Sequence, residues 1–308
     1  MTPLRLTTRR MARNLVALAA ASALTLTACG GSDPLASDND GDSATIVIGS
    51  QAYYSNEIVA EIYAQALEAD DIKVDRQFQI GQREVYLPEI ESGAIDLFPE
   101  YTGPLLLALD PKATATKPDE VYAALGDALP KGLRLLDASP ATDQDSYVVT
   151  KEFADKWGVA TIEDLKKVTD PLVFGANSEA ESRPNGPKGL KKTYGVDVKF
   201  APIEDSGGPL TVKALKDGDI QIGLIYTADP SIKKNDLVTL TDSKGLFLAS
   251  AFVPVASDDV DDDAAAIIDK ISAAMSPEDL IALNARSVEE KLPAATIAKD
   301  WLNDEDLL

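Results

Sequence analysis

The sequence predicts an α/β body built from two similar lobes with a cleft between them. Three observations carry this. The order strand, helix, strand, helix, strand is written twice along the chain. In each half the first strand is an apolar run that ends at a glycine, Thr45-Ile46-Val47-Ile48 before Gly49 and Leu172-Val173-Phe174 before Gly175. In each half the last strand delivers a Tyr-Thr pair eight residues after a glycine, from Gly93 to Tyr101 and from Gly218 to Tyr226. The spacing repeats over the whole unit, 52 positions from Gly49 to Tyr101 and 51 from Gly175 to Tyr226.

The elements follow in order. Residues 1–28 carry Arg5, Arg9, Arg10 and Arg13 without an acid, then an apolar run from Leu15 to Ala28. That is the layout of a secretory signal, too short to span a bilayer comfortably. It ends Leu26-Thr27-Ala28-Cys29-Gly30, which resembles the lipobox of bacterial lipoproteins. The chain's single cysteine, Cys29, stands where that motif places the lipidated residue. Residues 29–43 are polar and turn-rich and read as a flexible tether.

The body begins near Ala44. Ile58, Ile62, Ala66 and Val59, Tyr63, Leu67 recur at helical spacing, so the segment 56–67 is an amphipathic helix. Val74, Arg76, Phe78 and Ile80 alternate as in a strand, and Val196, Val198 and Phe200 do the same in the second half. A second helix in each half stops at Gly93 and at Gly218, the usual residue after a helix end. The segments 138–146 and 241–252 bracket the second half and are where the chain crosses between lobes. Lobe 1 is thus expected over residues 44–143 plus 252–308, and lobe 2 over 144–251. The last 48 residues are helical and acidic. Ser276-Pro277-Glu278-Asp279 supplies an N-cap and a first-turn proline, and the helices should pack on lobe 1. Tyr101 and Tyr226 sit at the C-terminal ends of equivalent strands, where open α/β sheets bind ligands, so they should face each other across one cleft.

Composition excludes several chemistries. With 29 basic and 51 acidic residues the formal charge is −22, and loss of residues 1–28, four of them arginines, takes it to −26. Such a chain is a poor nucleic-acid binder. No histidine means no Ser-His-Asp triad and no His-ligated zinc; one cysteine means no internal disulfide. The acidic run 258–263 lacks the spaced ligands of a calcium loop and suits a helix N-terminus. Lys191-Lys192 and Lys233-Lys234 read as solvated faces. No metal or cofactor is expected. A tethered, two-lobed, hinged body outside the cell points to a capture protein.

Three motifs then add a family. Leu97-Phe98-Pro99-Glu100-Tyr101-Thr102-Gly103, the run 205–215 (Asp-Ser-Gly-Gly-Pro-Leu-Thr-Val-Lys-Ala-Leu), and Tyr226-Thr227-Ala228-Asp229-Pro230 together resemble the substrate-binding lipoproteins of osmoprotectant ABC transporters. The resemblance covers residues 46–301. It implies the type II periplasmic-binding-protein fold and a quaternary ammonium ligand such as glycine betaine, choline or carnitine. It also implies permease subunits with a cytoplasmic ATPase as partners, and a place on the outer face of the membrane. It implies a cage of tyrosines, which map here to Tyr101, Tyr122, Tyr147 and Tyr226, with Thr102 in the Tyr-Thr-Gly motif beside them. Tyr122 also reads as a helix-face core residue. A trimethylammonium has no N–H to donate, so aromatic faces are the groups that recognise it, at roughly 0.5–2 kcal/mol each.

The chain departs from the family in two places. The first loop is Ser50-Gln51-Ala52-Tyr53-Tyr54-Ser55-Asn56, which puts Asn56 at the family's polar position. Pro104 replaces a second threonine after Gly103. Tyr53 and Tyr54 add aromatic surface or cap the helix entry. Arg183 offers a planar fork for a ligand carboxylate, or is a solvated loop residue. Two other classes stay open on the residues alone. One is a sensor of the same fold that binds without transport. The other is an acid–base hydrolase using Asp96 and Glu100, four apart on one strand face.

Overall fold

The computed structural model describes residues 45–308. The expected signal segment, Cys29 and the tether lie outside the described residues. Ten strands form two five-stranded sheets. They are β1 (Ile46–Gly49), β2 (Val74–Gln77), β3 (Leu97–Tyr101), β4 (Leu133–Leu135), β5 (Asp145–Thr150), β6 (Val173–Ala176), β7 (Lys199–Pro202), β8 (Ile222–Tyr226), β9 (Leu237–Thr239) and β10 (Phe252–Ser257). The first sheet runs β2-β1-β3-β10-β4 and the second β7-β6-β8-β5-β9. In each, three parallel strands are followed by an antiparallel strand that arrives from the other half of the chain. The sequence repeat is therefore a repeat of topology: β3 and β8 hold the same place, and so do β10 and β5.

Both sheets are covered on two faces, as buried parallel strands require. On one face of the first sheet the helix Tyr54–Ala69 packs with the three C-terminal helices, through Ile58, Ile62, Ile268, Leu283, Ile297 and Trp301. The other face is filled around Tyr86, Phe98, Leu105 and Val253. The second sheet is enclosed by a core around Tyr147, Phe174 and Leu190 and a smaller one around Val212, Leu215 and Ile225. Helix ends follow the sequence signals. Ser276 and Asp279 form a reciprocal capping box, and Asp261, from the acidic run, caps the helix Asp262–Ala274. Gly93 and Gly218 take φ of +77° and +80°, left-handed backbone that favours glycine. β2 is shorter than its alternation suggests because Gln79 turns to φ +55° and ends the strand.

Two segments cross between the sheets, and they touch: Thr142 and Ala251 form an antiparallel bridge. Gly103 packs against the second of them. A Cβ there would lie 2.7 Å from the Ala249 carbonyl oxygen, so this position of the Tyr-Thr-Gly motif leaves room for glycine alone. The hinge and the end of β3 are thereby fixed to each other.

Candidate functional site

β3 and β8 end at Tyr101 and Tyr226, and both rings line one enclosed cavity between the sheets. Register explains their neighbours. Tyr101 pairs with Phe252 of β10, ring centroids 4.5 Å apart. Tyr226 pairs with Asp145 of β5, which puts a carboxylate at the same cavity. The first loop, held by Gly49 and the helix that follows, turns Tyr53 over Tyr226 at 4.6 Å and against Tyr54 at 4.8 Å. The enclosed volume is about 20 Å³, room for about one water. The Tyr101 hydroxyl is buried and has no hydrogen-bond partner. A buried hydroxyl at a cavity is available to a polar group of whatever enters it.

Charge is concentrated here. Asp143 accepts from the Tyr53 hydroxyl at 3.1 Å and from the Ala228 N–H at 2.9 Å. Burial nonetheless pushes its carboxyl up to about 7, with Asp229 and Asp145 adding like charge. Asp145 accepts from Asn185 Nδ2 at 2.7 Å, and burial raises it too, against the pull of Arg183 and Arg83. Arg83 lines the cavity but its fork holds Glu100 through two bonds of 2.9 and 3.0 Å. Glu100, fully buried, also accepts from Tyr86 Oη and from the Tyr101 N–H, so this ion pair anchors the backbone of Tyr101 itself. Arg183 reaches across from the second lobe and grips Glu84 at 3.0 and 2.8 Å.

Further bonds close the cleft: Tyr54 Oη donates to Asp229 at 2.7 Å, and Gln82 Nε2 to Ser206 Oγ at 3.2 Å. Beside the small cavity, and sharing Arg83, Pro104, Asp145 and Arg183 with it, lies a hollow of about 300 Å³ walled by Leu87, Leu107 and Phe247.

Of the residues expected from sequence, Tyr101, Tyr226 and Arg183 come together at this cavity. Four others do not line it. Asn56 is buried beneath the first loop, donating to Pro99 O and accepting from Gln51 N–H, and so shapes the loop. Thr102 ties β3 to the crossing segment, donating to Ala249 O and accepting from Ala251 N–H. Tyr122 donates to Leu136 O beside a different hollow. Tyr147 sits in the second lobe's core between Phe174 and Phe247, its hydroxyl on Asn185 O. Asp143, Asp145, Arg83 and Gln51 were not singled out by the sequence reading. Asp145 stands two residues before Tyr147 at the start of β5; Asp143 lies in an aperiodic crossing segment that carries no sequence signal. Asp96 and Glu100 are each satisfied separately, Asp96 by Val47 N–H and Ser257 Oγ, so they do not form an acid–base pair.

Comparison with known proteins adds the lineage. The profile of a family described as the substrate binding domain of ABC-type glycine betaine transport systems matches residues 44–304. The carnitine transport binding protein OpuCC of Listeria monocytogenes (serotype 1/2a, strain 10403S) is 25% identical over 266 residues, 84% of this chain and 86% of that protein. The ergothioneine transport permease/ergothioneine binding protein EgtU of Helicobacter pylori (strain G27) is 26% identical over 263 residues. That match takes in 83% of this chain but spans only about half (47%) of the relative. Among solved structures, a glycine betaine/carnitine/choline ABC transporter protein superposes with TM-score 0.69 at 23% identity, covering 85% of this chain and 99% of that one. Lactococcal OpuAC, closed around glycine betaine, gives 0.60 at 16% identity, covering 85% and 96%. These likenesses show the periplasmic-binding-protein fold, two α/β lobes each with a mixed sheet flanked by helices.

Proposed function

Because this chain belongs to the family of substrate-binding domains of ABC-type glycine betaine transport systems, we propose that it captures a quaternary ammonium osmoprotectant outside the cell membrane. It then delivers that ligand to permease subunits driven by a cytoplasmic ATPase. Glycine betaine, choline and carnitine are the ligand types named for its relatives and structural neighbours. One observation carries the reading: two tyrosines in equivalent strands, one from each lobe, meet at a buried cavity that also holds two carboxylates and an orphan hydroxyl. A trimethylammonium is apolar on its surface and charged within. Ring faces meet the methyls, and the carboxylates supply the field. Because the two rings belong to different lobes, a ligand that touches both favours the closed arrangement over the open one.

In this reading Tyr101 and Tyr226 touch the ligand, and Tyr53 and Tyr54 complete the aromatic wall. Asn56, Thr102, Tyr122 and Tyr147 act through the backbone they hold. The lobes divide as 44–143 plus 252–308 and 144–251, and the chain is non-catalytic. Cys29 carries the lipid anchor; a fatty-acid probe should label the wild type and not Cys29→Ser, and equal labelling would contradict the anchor.

The test of function is a methyl ladder read by calorimetry on the full-length protein. Glycine betaine should bind, dimethylglycine more weakly, and glycine hardly at all. Each lost methyl removes apolar contact and exposes an N–H that rings cannot satisfy. Equal binding along the ladder would remove the quaternary ammonium from the reading.

A further inference from the structure

The family takes both cations and zwitterions; the charges around this cavity distinguish them. We infer that the site selects a net cation, a quaternary ammonium without a carboxylate of its own, over a zwitterionic betaine. The inference rests on the proposed function and narrows it.

Four charged side chains line the cavity, two arginines and two aspartates, and at first sight they balance. Their partners remove the balance. The Arg83 guanidinium is held in a two-bond pair by Glu100, a carboxylate with no exposed surface. Pulling Arg83 away toward a ligand would strand that buried charge. The Arg183 guanidinium is likewise held by Glu84 through two bonds. Each arginine therefore arrives neutralised. Asp143 and Asp145 do not. Asp143 has a tyrosine hydroxyl and a backbone N–H, and Asp145 has an asparagine amide. Counted with their partners, the groups at the cavity carry a net negative charge, from Asp145 and from Asp143 in its ionised form.

A cation enters this field favourably. A betaine brings its own carboxylate into the same space, beside two others, where both guanidiniums already hold a protein carboxylate through Nε and Nη2. The buried Tyr101 hydroxyl has no hydrogen-bond partner among the described residues and can bond a ligand hydroxyl without any charge. A cationic amino alcohol such as choline fits both features.

Glu84 provides an independent control, because it is a half-exposed carboxylate at the cleft rim whose removal releases the Arg183 fork without emptying a buried position. The experiment is calorimetric titration of choline and glycine betaine into the full-length wild type, Glu84→Gln and Asp145→Asn. Wild type should bind choline at least tenfold more tightly. Glu84→Gln should narrow that ratio severalfold by improving betaine, and Asp145→Asn should narrow it by weakening choline. Betaine binding as tightly as choline in the wild type, or a ratio that moves in neither variant, would overturn the inference while leaving the proposed function standing. Failure of both ligands to bind would overturn the proposed function and this inference with it.

Discussion

Replacing Tyr101 by phenylalanine isolates the orphan hydroxyl. The ring stays, with its 4.5 Å contact to Phe252 and its place at the cavity. What leaves is one buried oxygen without a partner. Such a group carries a desolvation cost of about 1–3 kcal/mol that folding does not recover. The small void that replaces it takes back part of the gain. The unliganded protein should therefore become more stable by on the order of 1 kcal/mol, a rise in Tm of about 2 °C for a body of this size. Tyr86→Phe is the matched opposite. Its hydroxyl donates at 2.7 Å to the buried Glu100 carboxylate, a bond to a charged group whose loss costs roughly 1.5–3 kcal/mol. Differential scanning calorimetry of both variants without ligand is the assay. The same chemical change should move Tm up at 101 and down at 86. A fall at 101 as large as that at 86 would mean that the Tyr101 hydroxyl is bonded in solution, and the argument from its isolation would fail.

Three further expectations follow from the same interactions. Arg83→Met should destabilise by about 3–5 kcal/mol, because Glu100 is left buried without its cation, and denaturant titration would show it; a loss below 1 kcal/mol would contradict the anchoring role given to the pair. Choline affinity should fall as pH drops through about 7, up to about fivefold between pH 7 and 6, as Asp143 takes a proton; the facing groups are Asp145, Asp229, Tyr53 and Tyr101, with Arg83 and Arg183 at the same cavity. The sign follows from the raised carboxyl, which is ionised above that value and neutral below it; an affinity that rises on acidification would refute the electrostatic reading. Low salt should speed choline association more than betaine association, given the −22 charge of the chain, and stopped-flow mixing at two ionic strengths would settle it; equal salt slopes would remove steering.

How much was legible beforehand differs between fold and site. The duplicated spacing of Gly93 to Tyr101 and Gly218 to Tyr226 gave equivalent strands, and their equivalence survives as identical strand orders in the two sheets. Periodicity reports which face a residue takes within one element, so strands, helices and the Ser276 N-cap can be read locally. It does not report which element a side chain meets. Duplication places Tyr101 and Tyr226 symmetrically, and both reach the cavity. Alternation along β5 cannot tell a ring packed on Phe174, as that of Tyr147 is, from one facing a cleft. Arg183 reads from sequence as a fork for a ligand carboxylate; the carboxylate it holds here is Glu84, 99 positions away, a pairing that only the fold brings about. Asp143 depends on the path of a crossing segment whose course has no period.

The measurement that bears most directly on the central claim is calorimetric titration of choline into the full-length wild type, Tyr101→Ala and Tyr226→Ala. If the two rings from opposite lobes form the binding surface, each truncation removes an aromatic contact and one lobe's hold on the ligand. Affinity should fall about tenfold to a hundredfold in each, or roughly 1–3 kcal/mol. Two variants that bind choline as tightly as the wild type would place the ligand elsewhere and contradict the account.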